Sequence, residues 1–203
     1  MGKVRIRSFC VTAALIVINI LVFLAVEFTG GSGNTRHMLN AGAAYAPFIR
    51  EGEYYRLFTS MFLHFGIEHL LNNMLVLGVL GERLEYVLGH VRFLFLYLLG
   101  GIGGSLASYY LELKSGEDAA VSAGASGAVF ALMGALIFLV IRNGGELLDL
   151  SFQRIVIMVA LSIYLGFAEG GVDMAAHIGG MFTGFCLAML MSLNDKRFQQ
   201  KRR

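Results

Sequence analysis

Apolar residues gather in six long runs along the chain, separated by shorter polar stretches. The runs lie at positions 9–26, 66–84, 93–111, 123–141, 152–168 and 174–193. Each approaches the roughly 20 residues that a membrane-spanning helix needs, whereas barrel strands are shorter and alternate in polarity. The pattern therefore predicts an all-α, polytopic membrane protein with six transmembrane helices.

Composition agrees with this pattern. Of the 203 residues 57% are hydrophobic and only 15% are charged, against about 25% charged in soluble domains. Six spans and their loops leave no room for a second folded domain, so we expect one membrane domain over residues 1–203. The net charge of +2 offers no electrostatic argument for a nucleic acid partner.

The basic residues predict the orientation. If the amino terminus is cytoplasmic, twelve of the 16 lysines and arginines fall on the cytoplasmic side and four outside, as the positive-inside rule requires. Both short tails are then cytoplasmic, and the loop at about 27–65 lies outside, with short interfacial helices expected between positions 45 and 62. A cleaved signal peptide is disfavoured, because the first apolar run is too long and no small-residue cleavage site follows it.

Neither a disulfide nor a metal site is expected. Cys10 and Cys186 both fall inside apolar stretches and read as packing residues. His64, Glu68 and His69 form H-x-x-x-E-H, which is not the H-E-x-x-H of metalloproteases. The two histidines, five positions apart, would point in different directions on a helix. We therefore expect no metal and no cofactor.

A few polar side chains interrupt the runs that enter the membrane from the outer side. They are His69, Asn72 and Asn73 in the second run, Ser126 in the fourth and His177 in the sixth. At 1.5 Å per residue all lie within roughly 10 Å of the outer surface, and polar groups at such depth are expensive and indicate function.

These residue types suit nucleophilic catalysis. Ser126 could be a nucleophile, with His177 as its base. His69 and Asn73, at i and i+4, share one helical face and could donate to an oxyanion, and spacing alone leaves Asn72 open as well. The competing interpretation is packing, since a membrane serine often bonds its own helix and the glycines Gly180 and Gly184 let helices approach closely.

Three motifs occur in a fixed order. They are H-x-x-x-N at positions 69–73, G-x-S-G at 124–127 and A-H-x-x-G-x-x-x-G at 176–184. Together with the segment from Tyr55-Arg56 onward, they resemble the rhomboid intramembrane serine proteases over nearly the whole chain. The resemblance implies a six-helix rhomboid fold of the basic bacterial kind.

The resemblance also implies roles for individual residues. Ser126 would be the nucleophile and His177 the general base, without a third carboxylate. His69, Asn73 and the backbone N–H of Ser126 would form the oxyanion hole, which selects Asn73 over Asn72. The residues expected to support the site are Gly124, Gly127, Phe130, Gly180 and Gly184.

Three positions depart from the family pattern or extend it. Phe130, expected against the His177 ring, stands where many members have tyrosine. Tyr55-Arg56 stands where Trp-Arg is usual, which makes the anchoring of the first loop an open point. Glu82 matches a family acid at the inner end of the second helix and is expected to be structural.

The expected function is hydrolysis of peptide bonds in or near the transmembrane segments of membrane-protein substrates, in a site that opens to the outer side. The fifth helix and the loop at 169–173 are the expected moving parts. A catalytically silent relative that binds membrane clients is the alternative, although such relatives usually lack the serine or the histidine. A small transporter would require charges at mid-membrane or paired broken helices, and the acids here lie near span ends.

Overall fold

A computed structural model describes residues 9–115, 120–148, 150–169 and 172–193, with the side chains of 165–169 excepted. Its long helices are α1 (Cys10–Thr29), α5 (Gly66–Leu88), α6 (His90–Ser115), α7 (Ser126–Arg142), α8 (Phe152–Glu169) and α9 (Met174–Leu193). They coincide with the six apolar runs. The basic tails that predict the orientation, and positions 170–171 of the expected mobile loop, lie outside the described residues.

Three of these helices, α1, α6 and α9, are individually long and apolar enough to cross a membrane. A fourth span results if Arg56–Phe62 and α5, which meet at an angle of 91°, are counted as one broken span. The helices α7 and α8 are apolar but shorter in their described parts. Large apolar side chains such as Leu75 (69% exposed) and Phe182 (70% exposed) face outward, which suits a lipid environment.

The segment between α1 and α5 forms short helices, and those after position 45 agree with the aromatic pattern. They are α2 (Thr35–Asn40), α3 (Ala46–Arg50), α4 (Arg56–Thr59) and a 3-10 turn at Ser60–Phe62. Arg56 is buried, and its guanidinium donates to the carbonyls of Leu39 (2.6 Å) and Ala43 (2.9 Å) and to Glu53 (2.7 Å). Arg56 therefore anchors the loop, while Tyr55, at the unusual position, is exposed.

A two-residue hairpin joins α7 to α8, and the hydropathy pattern contains no signal for it. Its strands, β1 (Glu146–Leu147) and β2 (Leu150–Ser151), pair antiparallel. Gly144 and Gly145 precede it with φ of +81° and +102°, conformations that glycine adopts without strain. The two glycines thus end α7 and turn the chain toward α8.

Helices α6, α7 and α9 are packed backbone against backbone. A Cβ on Gly180 would collide with the carbonyl oxygen of Gly127, and one on Gly184 with that of Ala131. A Cβ on Gly104 would lie 2.7 Å from the carbonyl oxygen of Ala176. Small residues permit this approach, so the expectation of tight packing at Gly180 and Gly184 agrees with the observed contacts.

A buried carboxylate joins the amino end of α1 to α5, and it belongs to Glu85. Its oxygens accept from the backbone N–H groups of Val11 (3.0 Å) and Thr12 (2.8 Å) and from the Thr12 hydroxyl (2.6 Å). An acid at a helix amino terminus satisfies donors that have no partner within the helix. Glu82 is exposed, and the acid that joins α1 to α5 is Glu85, one turn later.

Glu85 also forms a small group with Cys10 and His90, whose potential ligand atoms lie within 4.8 Å of one another. The carboxylate already bonds three donors of α1 and lies 2.5 Å from His90 Nδ1. These contacts show that Glu85 caps α1. Both cysteines are free thiols, Cys186 half-buried and Cys10 exposed beside Glu85 and His90.

Candidate functional site

A cavity of about 1040 Å³ lies between the amino ends of α7 and α9 and the first turns of α5. The predicted site residues that line it are His69, Asn73, Gly124, Ser126, Gly127, Phe130 and His177. Asn72 lines it as well. The structure thus brings residues from three distant parts of the sequence to one hollow.

Ser126 is the first residue of α7, three positions later than the predicted start of the run. Gly124 has φ of +146°, which side-chain-bearing residues rarely adopt, and the chain before it is extended. The first N–H groups of a helix lack partners within the helix and carry partial positive charge. The Ser126 hydroxyl therefore lies beside backbone donors suited to a developing negative charge.

The segment that leads into Ser126 is held by the first loop. Ser122 pairs with Ala44 through two backbone hydrogen bonds of 2.8 and 2.9 Å. The Gly124 N–H donates to the Ser60 carbonyl at 3.0 Å, and the next N–H along the chain donates to His64 Nε2 at 3.3 Å. These bonds keep the segment extended, so that α7 begins at the serine.

His177 lies one turn into α9, against α7. Its ring stacks on Phe130 with centroids 4.1 Å apart and planes inclined by 11°. The side chain is 6% exposed, and its buried Nδ1 atom has no hydrogen-bond partner among the described residues. Because Phe130 lies four positions after Ser126, the stack faces the same side of α7 as the serine.

His69 reaches the serine segment because Gly124 has no side chain. A Cβ on Gly124 would lie 2.8 Å from His69 Nε2 and 3.7 Å from Ser126 Oγ. The His69 imidazole and the Ser126 hydroxyl therefore both lie next to Gly124. Any larger residue at position 124 would displace His69 as well as strain the backbone.

Asn73 and Asn72 differ in burial. The Asn73 side chain is buried and its amide donates to the His69 carbonyl at 2.9 Å, while Asn72 is exposed. One of the two amide hydrogens of Asn73 is used by that bond, which leaves the other available to the cavity. Of the two asparagines that spacing alone left open, Asn73 is thus the buried one.

Sequence reasoning missed two residues near the site. His64, considered there only as a metal ligand, is buried and accepts from the Ala125 N–H beside the serine. Asp173, treated only as the end of a loop, accepts hydrogen bonds from α6, from the segment before Ser126 and from α9. A buried histidine beside a motif residue was the available signal for His64, whereas nothing in the local sequence indicates the partners of Asp173.

Comparison with known proteins assigns these motifs to one family. The model of the Rhomboid domain matches residues 51–194. Rhomboid protease GluP of Bacillus subtilis (strain 168) is 37% identical over 90% of this chain and 35% of its own length. Putative rhomboid protease YdcA of the same organism is 35% identical over 73% of both chains. RHOMBOID-like protein 5 of Arabidopsis thaliana is 37% identical over 76% of this chain and half of its own.

Proposed function

Because the chain belongs to the rhomboid family, we propose that it is an intramembrane serine endopeptidase with Ser126 and His177 as a catalytic dyad. The position of Phe130 supports this most directly. Phe130 lies one turn after Ser126 on α7, and the His177 ring stacks on it. Ser126 and His177 line the same cavity. Within the described part of the chain, His177 Nδ1 has no hydrogen-bond partner, and the proposed dyad needs none.

The proposed reaction is an acyl transfer. Ser126 Oγ attacks the scissile carbonyl carbon while His177 takes the hydroxyl proton. The Ser126 backbone N–H and the side chains of His69 and Asn73 donate to the oxyanion. The tetrahedral intermediate collapses to an ester, and the protonated histidine gives its proton to the leaving amine. Water, activated by the same histidine, then hydrolyses the ester and restores the free serine.

The proposed substrates are the transmembrane segments of membrane proteins. In an intact helix each carbonyl is bonded within the helix and sheltered, so the segment must unwind near the cut. Gly, Ser and helix-breaking residues such as Pro there would lower the cost of unwinding, because their helix propensity is low. Hydrolysis also needs water in the cavity, which requires a wall of protein toward the lipid.

The membrane placement completes the proposal. All six long helices span the bilayer in one domain over residues 1–203, with both termini cytoplasmic and the cavity open to the outer side. Substrate enters past α8 and the loop that follows it. The outward faces of Ile157 (58% exposed) and Leu161 (53% exposed) on α8 suit a helix that contacts lipid. The chain spans only 35% of the length of GluP. The activity and partners of the whole GluP protein are therefore not transferred to this chain.

The second candidate is a catalytically silent relative that binds membrane clients. A binding protein needs neither a base beside the serine nor oxyanion donors. The close approach of His69 to Gly124 and the stacked His177 therefore favour the enzyme.

The test is cleavage of a model single-span substrate by the full chain in lipid vesicles. We expect Ser126→Ala and His177→Ala to abolish cleavage, and His69→Ala to reduce kcat by about 10²–10³-fold, the usual effect of losing one oxyanion donor. Ser105→Ala, which changes another serine of the cavity wall, is the matched control and should cut like the parent. Unchanged cleavage by Ser126→Ala would refute the mechanism.

A further inference from the structure

Asp173 immediately precedes α9, and its carboxylate gathers three donors from three parts of the chain. Oδ2 accepts from the Ser108 hydroxyl of α6 at 2.5 Å and from the Ser122 hydroxyl at 2.8 Å. Oδ1 accepts from the backbone N–H of Ala176 at 2.8 Å, which caps the first turn of α9. The backbone carbonyl of Asp173 accepts from the His177 N–H at 3.1 Å.

The position of this junction in the fold connects it to the site. His177 lies four residues after Asp173, and Ser126 lies four residues after Ser122. One carboxylate thus bridges the start of the helix that carries the histidine and the extended segment that leads into the serine. The Ser108 hydroxyl ties both to α6, whose Gly104 lies against the Ala176 carbonyl.

Ser122 extends the junction to the first loop. Its backbone pairs with Ala44 while its hydroxyl donates to Asp173. The segment 120–125 is therefore bonded on one side to the loop and on the other to α9. If the carboxylate were lost, the contact with the loop would remain and the contact with α9 would not, so the two sides of the site could separate.

We propose that Asp173 is a positioning residue that sets the separation between Ser126 and His177. This inference rests on the proposed function, because positioning matters only if the two side chains react together. Asp173 itself has no part in the chemistry. A displacement of about 1 Å between reacting groups can cost about 10²-fold in rate, so a joint that holds both segments controls kcat.

A carboxylate suits this joint better than an amide. Two oxygens can accept all three donors at once, whereas asparagine has one carbonyl oxygen and adds two N–H donors of its own. Asp173→Asn can keep the cap on Ala176 through that oxygen, but an NH2 group then replaces Oδ2, so both serine hydroxyls lose their acceptor. We expect it to lower kcat about tenfold and Asp173→Ala about 100-fold, with KM of the substrate unchanged in both.

Two serines offer a matched pair of variants. Ser122→Ala and Ser108→Ala each remove one hydroxyl donor to the same oxygen. Ser122 leads directly into Ser126, while Ser108 ties the junction to α6. We therefore expect Ser122→Ala to lower kcat several-fold more than Ser108→Ala. A purely structural role would predict similar effects of the two substitutions, in proportion to lost thermal stability.

Hydrogen exchange in a Ser126→Ala background tests the joint without activity. In Asp173→Ala, which removes the whole carboxylate, we expect faster exchange both at 120–127 and at 174–178, relative to the Ser126→Ala chain that keeps Asp173. Faster exchange at 174–178 alone would mean that Asp173 only caps α9, and it would overturn the inference. So would an unchanged kcat in Asp173→Ala. If the parent chain cuts no substrate, the proposed function fails, and the exchange result still decides whether Asp173 joins the two segments.

Discussion

The two sides of the cavity are held together by different physics. On one side α6, α7 and α9 approach one another closely, and at Gly104, Gly180 and Gly184 the glycine faces backbone atoms of the neighbouring helix. On the other side the first loop has little packing of that kind and is held by the buried Arg56, whose guanidinium bonds two carbonyls and Glu53. The serine segment lies between them.

This difference predicts different sensitivities. A backbone contact is destroyed by one added methyl group, and it does not respond to pH or salt. A hydrogen-bonded contact made by a charged side chain tolerates changes in volume. Its strength depends on the geometry of the donors and on the protonation of the partner group. We therefore expect added side-chain volume to destabilise the packing of α6, α7 and α9. We expect the first loop to be destabilised by the loss of a charge or of hydrogen bonds.

The largest expected effect is a steric clash where α9 packs against α7. In Gly180→Ala the new methyl group collides with the Gly127 carbonyl oxygen, and backbone on both helices must shift. We expect a loss of about 3 kcal/mol of stability and a fall in kcat of about 100-fold or more. Thermal unfolding in detergent and cleavage in vesicles measure the two effects.

Gly78→Ala is the matched control for that substitution. Gly78 is also a glycine inside a long helix, but a Cβ there meets only Ile16 at 3.8 Å, an ordinary contact. Alanine favours a helix interior over glycine by up to about 1 kcal/mol, so this variant should be as stable as the parent or more so. Equal destabilisation by both changes would contradict the backbone-contact account.

An intermediate effect is expected for Arg56→Lys in the loop. A lysine ammonium keeps the charge but cannot reproduce the fork that reaches the carbonyls of Leu39 and Ala43 together with Glu53. We expect a loss of about 2 kcal/mol, seen as a lower unfolding temperature. Arg50→Lys, at an exposed position, should stay within about 0.5 kcal/mol of the parent, and the comparison fails if the two variants behave alike.

The smallest expected effect is a pH dependence of the loop. Hydrogen bonds from the Tyr55 hydroxyl and then from Arg56 hold the pKa of Glu53 below its ordinary value. A lowered pKa in the folded state contributes stability above the unfolded pKa, and that contribution is lost as the pH falls through the folded value. After correction for the intrinsic pH dependence of amide exchange, the protection of the loop amides should therefore fall below about pH 4.3, and Glu53→Gln should abolish this fall. A Glu53→Gln profile identical to the parent would contradict the assignment.

Long apolar runs made the helices predictable. Each run is nearly as long as a bilayer is thick, so hydropathy located all six helices within a few residues. The start of α7 shows where hydropathy fails. Ala123 and Ala125 are apolar and are predicted to be helical. The positive φ of Gly124 and the hydrogen bonds to Ser60 and His64 keep them outside the helix, which begins at Ser126. Apolarity alone carries no information on such long-range hydrogen bonds.

Side-chain partners were less accessible. Glu82 and Glu85 lie three positions apart on one helix, and only the packing of α1 shows that Glu85 is the buried one. The partners of Asp173 lie 51 and 65 residues away, beyond any local pattern. The motifs predicted residues that line one cavity, whereas the hydrogen bonds around them depend on tertiary contacts.

The central claim is that Ser126 is a nucleophile activated by His177. Labelling of the full chain in detergent with a fluorophosphonate, followed by peptide mapping, tests it most directly. The account predicts a single adduct on Ser126 that is lost in His177→Ala and kept in Ser105→Ala. An adduct on another serine, or labelling of Ser126 undiminished in His177→Ala, would contradict it.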